Sequence, residues 1–213
     1  GLKPEDHFLL ETADFSQQDV TCLLPLWSST MKQAQLKALV DKTLNPEAPN
    51  LRYGIPETWQ CSQVLPEKLP VRINLLWNTL IIEGLERSGF STEASTLFTN
   101  LMDSVIRGLK DYEGFYPYFD QETGCPCGQR NAIAGLPPLR LFLQIAGIRL
   151  LSPTKVALWG ENPFPWPIEV QWQGLSLDKN GTHTRITFPN GCVYHHNSKD
   201  SVLLTQGREQ THV

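Results

Sequence analysis

The periodicity of the sequence changes near Ser152, and this change limits the folds that the chain can adopt. Before it, apolar residues recur every three or four positions, most clearly over residues 71–89 and 92–110, which predicts helices with a buried face. After it, short alternating segments are separated by turns, including Asn-Gly dipeptides at 180–181 and 190–191. Such dipeptides between alternating segments are typical of antiparallel hairpins.

We therefore expect a mainly α fold with a small C-terminal antiparallel β-sheet. The expected division is a helical segment over residues 1–151 and a β-sheet tail over residues 152–213 that packs on the helices. A chain of 213 residues is long enough to bury a core of this kind.

The charge and hydropathy of the chain exclude two classes of partner. Lysine and arginine total 18 against 22 acidic residues, so the net charge of −4 offers no basic surface for nucleic acid. No run of 18 apolar residues is present, so we expect no membrane-spanning helix. The first residues lack the basic and apolar regions of a signal peptide. We expect a soluble protein and leave open whether it is cytoplasmic or periplasmic.

The cysteines and histidines do not indicate a metal site. The chain has five cysteines, an odd number, and we expect them to be reduced. Cys125 and Cys127 flank one proline, whereas zinc sites space cysteines two to four residues apart and need a second pair or histidines. His195 and His196 are adjacent, and neighbouring residues of a strand point to opposite faces. We expect no metal and no other cofactor.

Residues 111–131 contain the densest group of aromatic and acidic side chains in the sequence. The rings belong to Tyr112, Phe115, Tyr116, Tyr118 and Phe119, and the carboxylates to Asp111, Glu113, Asp120 and Glu122. Aromatic rings offer a surface on which a sugar can stack, and glycoside hydrolysis requires two carboxyl groups beside the sugar. The alternative is an ordered connection whose rings fill the end of a helical bundle.

Four segments resemble one known family. They read LLPLW at 23–27, YGIPE at 53–57, LLWNTLIIEGL at 75–85 and GFYPYFDQETG at 114–124. In this order they resemble the C-terminal half of the (α/α)6-toroid glycoside hydrolases, a group that includes mannosylglycerate hydrolase, processing α-glucosidases and amylo-α-1,6-glucosidase domains. The resemblance covers about residues 20–205 and implies a partial toroid built from helical hairpins.

The resemblance also implies site residues. Those expected to bind substrate are Tyr116, Tyr118, Phe119, Arg72, Asn78 and Trp77. Those expected to supply acid or base are Glu113, Asp120 and Glu57. At the position where the family has its catalytic base, this chain has Pro117, which cannot ionise.

Several of these residues have a structural alternative. Trp77 can lie in the core, Asp120 can close a turn through hydrogen bonds to the backbone, and Arg72 can pair with Glu67. Glu57 can simply be solvated in its loop.

The expected function is that of a C-terminal segment of a glycoside hydrolase that acts on α-linked sugars and is not active alone. One alternative is a catalytically degenerate carbohydrate-binding or structural module of the same fold. Another is an unrelated helical domain that binds a protein partner. The expected ligand is an oligosaccharide or glycoside. Since an incomplete toroid exposes apolar helix faces, we also predict self-association or a missing N-terminal half.

Overall fold

A computed structural model describes residues 18–28, 31–44, 51–59 and 71–211. The α-helices are α1 (Leu24–Ser28), α2 (Gln33–Thr43), α3 (Leu75–Arg87), α4 (Ser91–Tyr112) and α5 (Leu139–Ile145), with 3-10 turns at Val20–Leu23 and Ile133–Gly135. The strands are β1 (Gln18–Asp19), β2 (Thr58–Trp59), β3 (Arg72–Asn74), β4 (Tyr118–Asp120), β5 (Pro126–Cys127), β6 (Ile148–Ser152), β7 (Lys155–Leu158), β8 (Ile168–Trp172), β9 (Leu175–Asn180), β10 (His183–Thr187), β11 (Val193–His196), β12 (Val202–Thr205) and β13 (Arg208–Thr211).

The expectation of a mainly α fold is wrong. Among the described residues the strands form four antiparallel sheets, ordered β1-β2, β3-β4-β5, β13-β12-β7-β6 and β11-β10-β9-β8. The C-terminal region therefore holds two four-stranded sheets rather than one small sheet. The partial toroid of helical hairpins is wrong for a related reason. Helices α1 and α5 have only 5 and 7 residues, about two turns or fewer, and β4 and β5 intervene between α4 and α5.

The residues of the chain group into two compact units, each with more contacts inside it than to the other. The first unit comprises the described residues within 1–81 and 100–136, and the second those within 82–99 and 137–211. The predicted division at residues 151 and 152 is not tested by this grouping and stays a prediction. No helix in the described part of the chain is both long enough and apolar enough to cross a bilayer.

In the first unit, helix α3 begins where strand β3 ends. The side-chain Oδ1 of Asn74 accepts hydrogen bonds from the backbone N–H groups of Leu76 at 3.0 Å and Trp77 at 3.3 Å, which satisfies donors that a helix start leaves unpaired. Strand β3 pairs with β4, and β4 with β5. Ile73 and Phe119 are opposite each other on the buried face of this sheet, with 0% and 1% of their surface exposed.

In the second unit, both predicted Asn-Gly hairpins are confirmed. The first joins β9 to β10 and the second joins β10 to β11, with Gly181 and Gly191 at φ of +55° and +83°. Glycine adopts this left-handed backbone without steric cost. Along β9 the side chains alternate, so that Leu175, Leu177 and Lys179 are buried. Ring contacts link Phe98, Phe142, Phe164 and Trp166 and add apolar packing to this unit.

Lys179 and Gly147 fix the turn between α5 and β6. The ammonium of Lys179 donates to the carbonyl oxygens of Trp159 at 2.9 Å and of Gly147 and Gly160 at 3.3 Å each. The N–H of Trp159 also donates to the Gly147 carbonyl at 3.1 Å. A buried ammonium without acceptors would be very costly, so these carbonyl groups both hold Lys179 and are held by it.

We predict that Gly147→Ala destabilises the protein far more than Gly160→Ala. Both glycines have positive φ, +67° and +57°, but a Cβ at Gly147 would lie 1.8 Å from the Trp159 carbonyl oxygen, whereas one at Gly160 would meet nothing within 4 Å. We expect a loss of about 1 kcal/mol for Gly160→Ala from the backbone alone and of about 3 kcal/mol or more for Gly147→Ala. Urea denaturation measures both, and equal losses would contradict the close approach.

We predict that Lys179 makes stability depend on pH above neutrality. Burial lowers the pKa of Lys179 from 10.5 to about 8. Because the unfolded chain then binds this proton more tightly than the native chain, the free energy of unfolding should rise as the pH increases from 8 towards 10.5. Urea denaturation at several pH values should show this rise relative to Lys179→Met. The exposed Lys155→Met should follow the wild type, and parallel curves for Lys179→Met and wild type would contradict the prediction.

Candidate functional site

The three-stranded sheet of the first unit has one apolar face and one polar face. Arg72 is opposite Asp120, Asn74 is opposite Tyr118, and Tyr118 is opposite Cys127. The N–H of Asp120 donates to the carbonyl of Cys125 at 2.8 Å, which extends the same pairing by one position. Since alternate residues of a strand share a face, six side chains lie together on what we call the polar sheet face: Arg72, Asn74, Tyr118, Asp120, Cys125 and Cys127.

Glu57 is fixed at the edge of the polar sheet face. Its N–H donates to the carbonyl of Arg72 at 2.7 Å, and its Oε1 accepts a hydrogen bond from Asn74 Nδ2 at 3.0 Å. Asn74 is itself held by its contacts with the start of α3. Oε2 of Glu57 makes no hydrogen bond within the described part of the chain, so one carboxylate oxygen is available to a ligand.

Arg72 and Tyr118 form a second fixed pair. The guanidinium carbon of Arg72 lies 5.8 Å from the centroid of the Tyr118 ring, within the range of a cation–π interaction. Gly128 passes close to this ring: a Cβ there would lie 2.9 Å from Tyr118 Cδ2. The backbone at Gly128 has φ of +89°, so a larger residue would be both strained and too close. Arg72 is exposed and Tyr118 half-buried.

Asp120 holds a turn. Its Oδ1 accepts hydrogen bonds from the Thr123 hydroxyl at 2.7 Å, the Thr123 N–H at 2.8 Å and the Glu122 N–H at 3.1 Å. The Thr123 hydroxyl and the two backbone N–H groups lower the pKa of Asp120, because each favours the carboxylate. Asp120 is therefore a poor proton donor at neutral pH, and its turn role agrees with the structural alternative derived from the sequence.

The two thiols of the polar sheet face have opposite electrostatic environments. The hydroxyls of Thr123 and Tyr112, and the positive charge of Arg107, lower the pKa of Cys125. The Tyr112 hydroxyl donates to Cys125 Sγ at 3.3 Å. The Thr123 hydroxyl, by contrast, donates its proton to Asp120 as well. Burial raises the pKa of Cys127. Cys125 is thus the more nucleophilic thiol of the pair.

The other residues predicted from sequence lie away from this face. Asn78 is fully buried: its Oδ1 accepts from the Ile55 N–H at 2.7 Å, and its Nδ2 donates to the carbonyls of Ile55 and Asn74 at 2.9 Å each. Phe119 lies in the core. The Tyr116 hydroxyl donates to the Tyr112 carbonyl at 3.3 Å.

Glu113 and Trp77 complete the set of predicted residues. The Glu113 side chain is 83% exposed and approaches Arg130 at 3.8 Å, with its backbone at φ of +52°. Trp77 is half-buried in the first turns of α3. The structure therefore brings together Glu57, Arg72, Tyr118 and Asp120. Glu67, the alternative partner of Arg72, lies outside the described residues.

Sequence reasoning missed the pairing of Asn74 with Glu57 and the place of both thiols on one face. The available signal was the alternation in Arg-Ile-Asn, Tyr-Phe-Asp and Cys-Pro-Cys, where the middle residue is apolar in each case. Within the described ranges no group of three or more histidine, cysteine, aspartate or glutamate side chains is arranged to hold a metal ion.

Comparisons of the chain with protein-family models, with curated proteins and with solved structures find no match. The function must therefore be inferred from the sites themselves.

We predict that Cys125 is alkylated faster than Cys127 at pH 7 and that Tyr112→Phe slows the reaction. Removal of the phenol hydroxyl takes a hydrogen-bond donor from the thiolate, which raises the thiol pKa and reduces the reactive fraction. Peptide mass spectrometry after timed exposure to iodoacetamide measures each rate. Tyr194→Phe, in the second unit, is the matched control and should leave the Cys125 rate unchanged. An unaltered rate in Tyr112→Phe would show that the hydrogen bond is unimportant.

Proposed function

We propose that this chain binds saccharides at the polar sheet face and does not hydrolyse them by itself. The observation that carries the proposal is the arrangement of the Glu57–Asn74 pair beside the Arg72–Tyr118 pair. Four polar or aromatic groups are held there by protein contacts before any ligand arrives.

These groups match the chemistry of a sugar ring. Neighbouring sugar hydroxyls both donate and accept hydrogen bonds, so they suit a carboxylate oxygen next to a guanidinium or amide donor. The C–H face of a sugar is apolar and suits contact with an aromatic ring. Because Glu57 and Asn74 are already hydrogen-bonded to each other, less conformational entropy is lost when they bind a ligand.

The same geometry argues against hydrolysis by this chain alone. Glycoside hydrolysis needs one protonated carboxyl group and one ionised or nucleophilic partner. Asp120 is held as a carboxylate by its turn. Pro117 occupies the position of the family's base, and its carbonyl accepts the N–H of Leu75 at 3.0 Å in a buried environment. The polar sheet face therefore carries two of the predicted carboxylates, Asp120 and Glu57. Asp120 holds a turn, whereas Glu57 does not.

The second candidate function is hydrolysis of α-linked sugars by a longer protein of which this chain is the C-terminal segment. The unpartnered Oε2 of Glu57 favours it, since this oxygen could serve as the base if another segment supplied the acid. The predicted self-association or missing N-terminal half likewise stays a prediction.

Isothermal titration against a panel of gluco- and manno-oligosaccharides tests the proposal. We expect binding by the wild type and about tenfold weaker binding by Tyr118→Ala, because loss of a ring contact costs about 1 kcal/mol or slightly more. Tyr118→Phe keeps the ring and is the matched control, so it should bind nearly as well as the wild type.

Two outcomes would contradict the proposal. One is the absence of binding by a well-folded wild type, and the other is equal binding by wild type and Tyr118→Ala. Release of nitrophenol from nitrophenyl α-glucoside or α-mannoside, abolished in Glu57→Gln, would instead show that the chain is an active hydrolase.

A further inference from the structure

The second unit contains a cleft of about 740 Å³. It is lined by the last turns of α3, by α5 and β6, and by Trp159, which follows β7. This volume is within the range of about 300–1,000 Å³ that is usual for small-molecule sites. All of its lining residues belong to the second unit, so the cleft is a feature separate from the polar sheet face.

The cleft has an excess of unpaired positive charge. Glu83 forms an ion pair with Arg87 at 2.6 Å, and Glu86 Oε2 accepts a hydrogen bond from Gln144 Nε2 at 2.7 Å. Arg140 and Arg149 also line the cleft and are exposed. Neither has an ion pair or a hydrogen bond to its side chain from residues that the structure describes. Two guanidinium groups are therefore left to face a ligand.

The backbone that positions these arginines is rigid. Arg140 lies in the first turn of α5, and Arg149 is an outward residue of β6, whose neighbour Ile148 is buried. The turn between the two elements passes through Gly147 and is held by the carbonyl contacts of Lys179 and by the N–H of Trp159. Because the backbone on both sides of the turn is held before a ligand arrives, only the two arginine side chains lose freedom on binding, and this support favours a site.

The remaining walls of the cleft are apolar. Leu143, Ile148, Leu150 and Leu151 line it, and the half-buried Trp159 adds an aromatic ring. A cleft that combines guanidinium forks with an indole ring suits a ligand with both an oxyanion group and a flat or apolar body.

We propose that this cleft binds a small ring-bearing organic anion. A carboxylate or phosphate group of the ligand is held by Arg140 and Arg149, and its ring lies against Trp159. A planar guanidinium group can bind two oxygens of a carboxylate or of a phosphate at once, so both kinds of ligand group suit the same pair of arginines. This site goes beyond the proposed saccharide site and does not depend on it.

Titration calorimetry at low ionic strength tests the site. The charged probes are adenosine monophosphate, glucose 6-phosphate, glucuronate and inorganic phosphate. Adenosine and glucose carry the same rings without the charge and serve as the uncharged matches. We expect at least one anion to bind about tenfold or more tightly than its uncharged match, and Arg140→Gln and Arg149→Gln each to weaken that binding about tenfold, since each removes a charge-assisted hydrogen bond. The glucose 6-phosphate and glucuronate arms distinguish phosphate from carboxylate.

The controls separate a specific site from general charge. Arg185→Gln removes an exposed arginine that lies on β10 and outside the cleft, so it should leave the affinity unchanged. Arg140→Lys keeps the charge but loses the planar fork, and we expect an affinity between those of the wild type and Arg140→Gln. Thermal melting of each variant verifies that it is folded.

Four outcomes would overturn the proposal. The first is that no anion binds at concentrations up to about 10 mM, and the second is that anions and their uncharged matches bind with equal affinity. The third is that a double variant with Arg140→Gln and Arg149→Gln keeps full affinity. The fourth is that inorganic phosphate binds as tightly as every ring-bearing anion. The last result would show a site for an oxyanion alone, with no part played by Trp159.

Discussion

The side-chain amide of Asn78 is the interaction on which the first unit most depends. It makes hydrogen bonds to both the N–H and the carbonyl of Ile55, as a neighbouring strand would. It also donates a hydrogen bond to the carbonyl of Asn74, one helical turn earlier. Leaving a buried amide without such partners costs about 1–3 kcal/mol for each unsatisfied group. Asn78 therefore attaches an irregular segment to α3, and that segment leads directly to Glu57.

The second unit solves a similar problem with a charged side chain. Three carbonyl oxygens at the turn before β6 and after β7 point toward one place, and the ammonium of Lys179 satisfies all three. In each unit, one buried polar side chain satisfies backbone groups of an irregular segment. Each such side chain also positions functional groups: Asn78 supports Glu57 and Asn74, and Lys179 supports the turn between Arg140 and Arg149.

Local patterns were read correctly from the sequence, whereas long-range pairing was not. Helix α4 has 22 residues with apolar positions at helical spacing, and the Asn-Gly hairpins depend on a few adjacent residues, so both could be predicted. Strands β3, β4 and β5 have two or three residues each, so their alternation is too short to identify a strand by itself. Strand β3 also pairs with a segment more than forty positions away. Helix α5 starts only at Leu139, because Pro137 and Pro138 precede its first turn.

The candidate site was only partly predicted, because the direction of its side chains depends on the same long-range pairing of strands. Tyr118 and Phe119 are adjacent in an aromatic segment, and only the pairing of β4 decides that Tyr118 faces Arg72 while Phe119 enters the core. A shift of that pairing by one residue would exchange the two rings. Composition alone identified the segment, but it could not distinguish a ring that packs from a ring that is accessible to a ligand.

Charge balance is the reason that we expect different ligands at the two proposed sites. At the polar sheet face the single charge of Arg72 is near the carboxylates of Glu57 and Asp120, so an anionic ligand would meet repulsion there, while an uncharged sugar would meet both donors and acceptors. In the cleft of the second unit the charge of Glu83 is paired with that of Arg87, so Arg140 and Arg149 stand against the single carboxylate of Glu86 and the balance is positive. An uncharged ligand in that cleft would displace water from two guanidinium groups without replacing their electrostatic interaction, whereas an oxyanion would replace it. The selectivity proposed for each site therefore follows from the sign of the charge that the protein leaves unbalanced there.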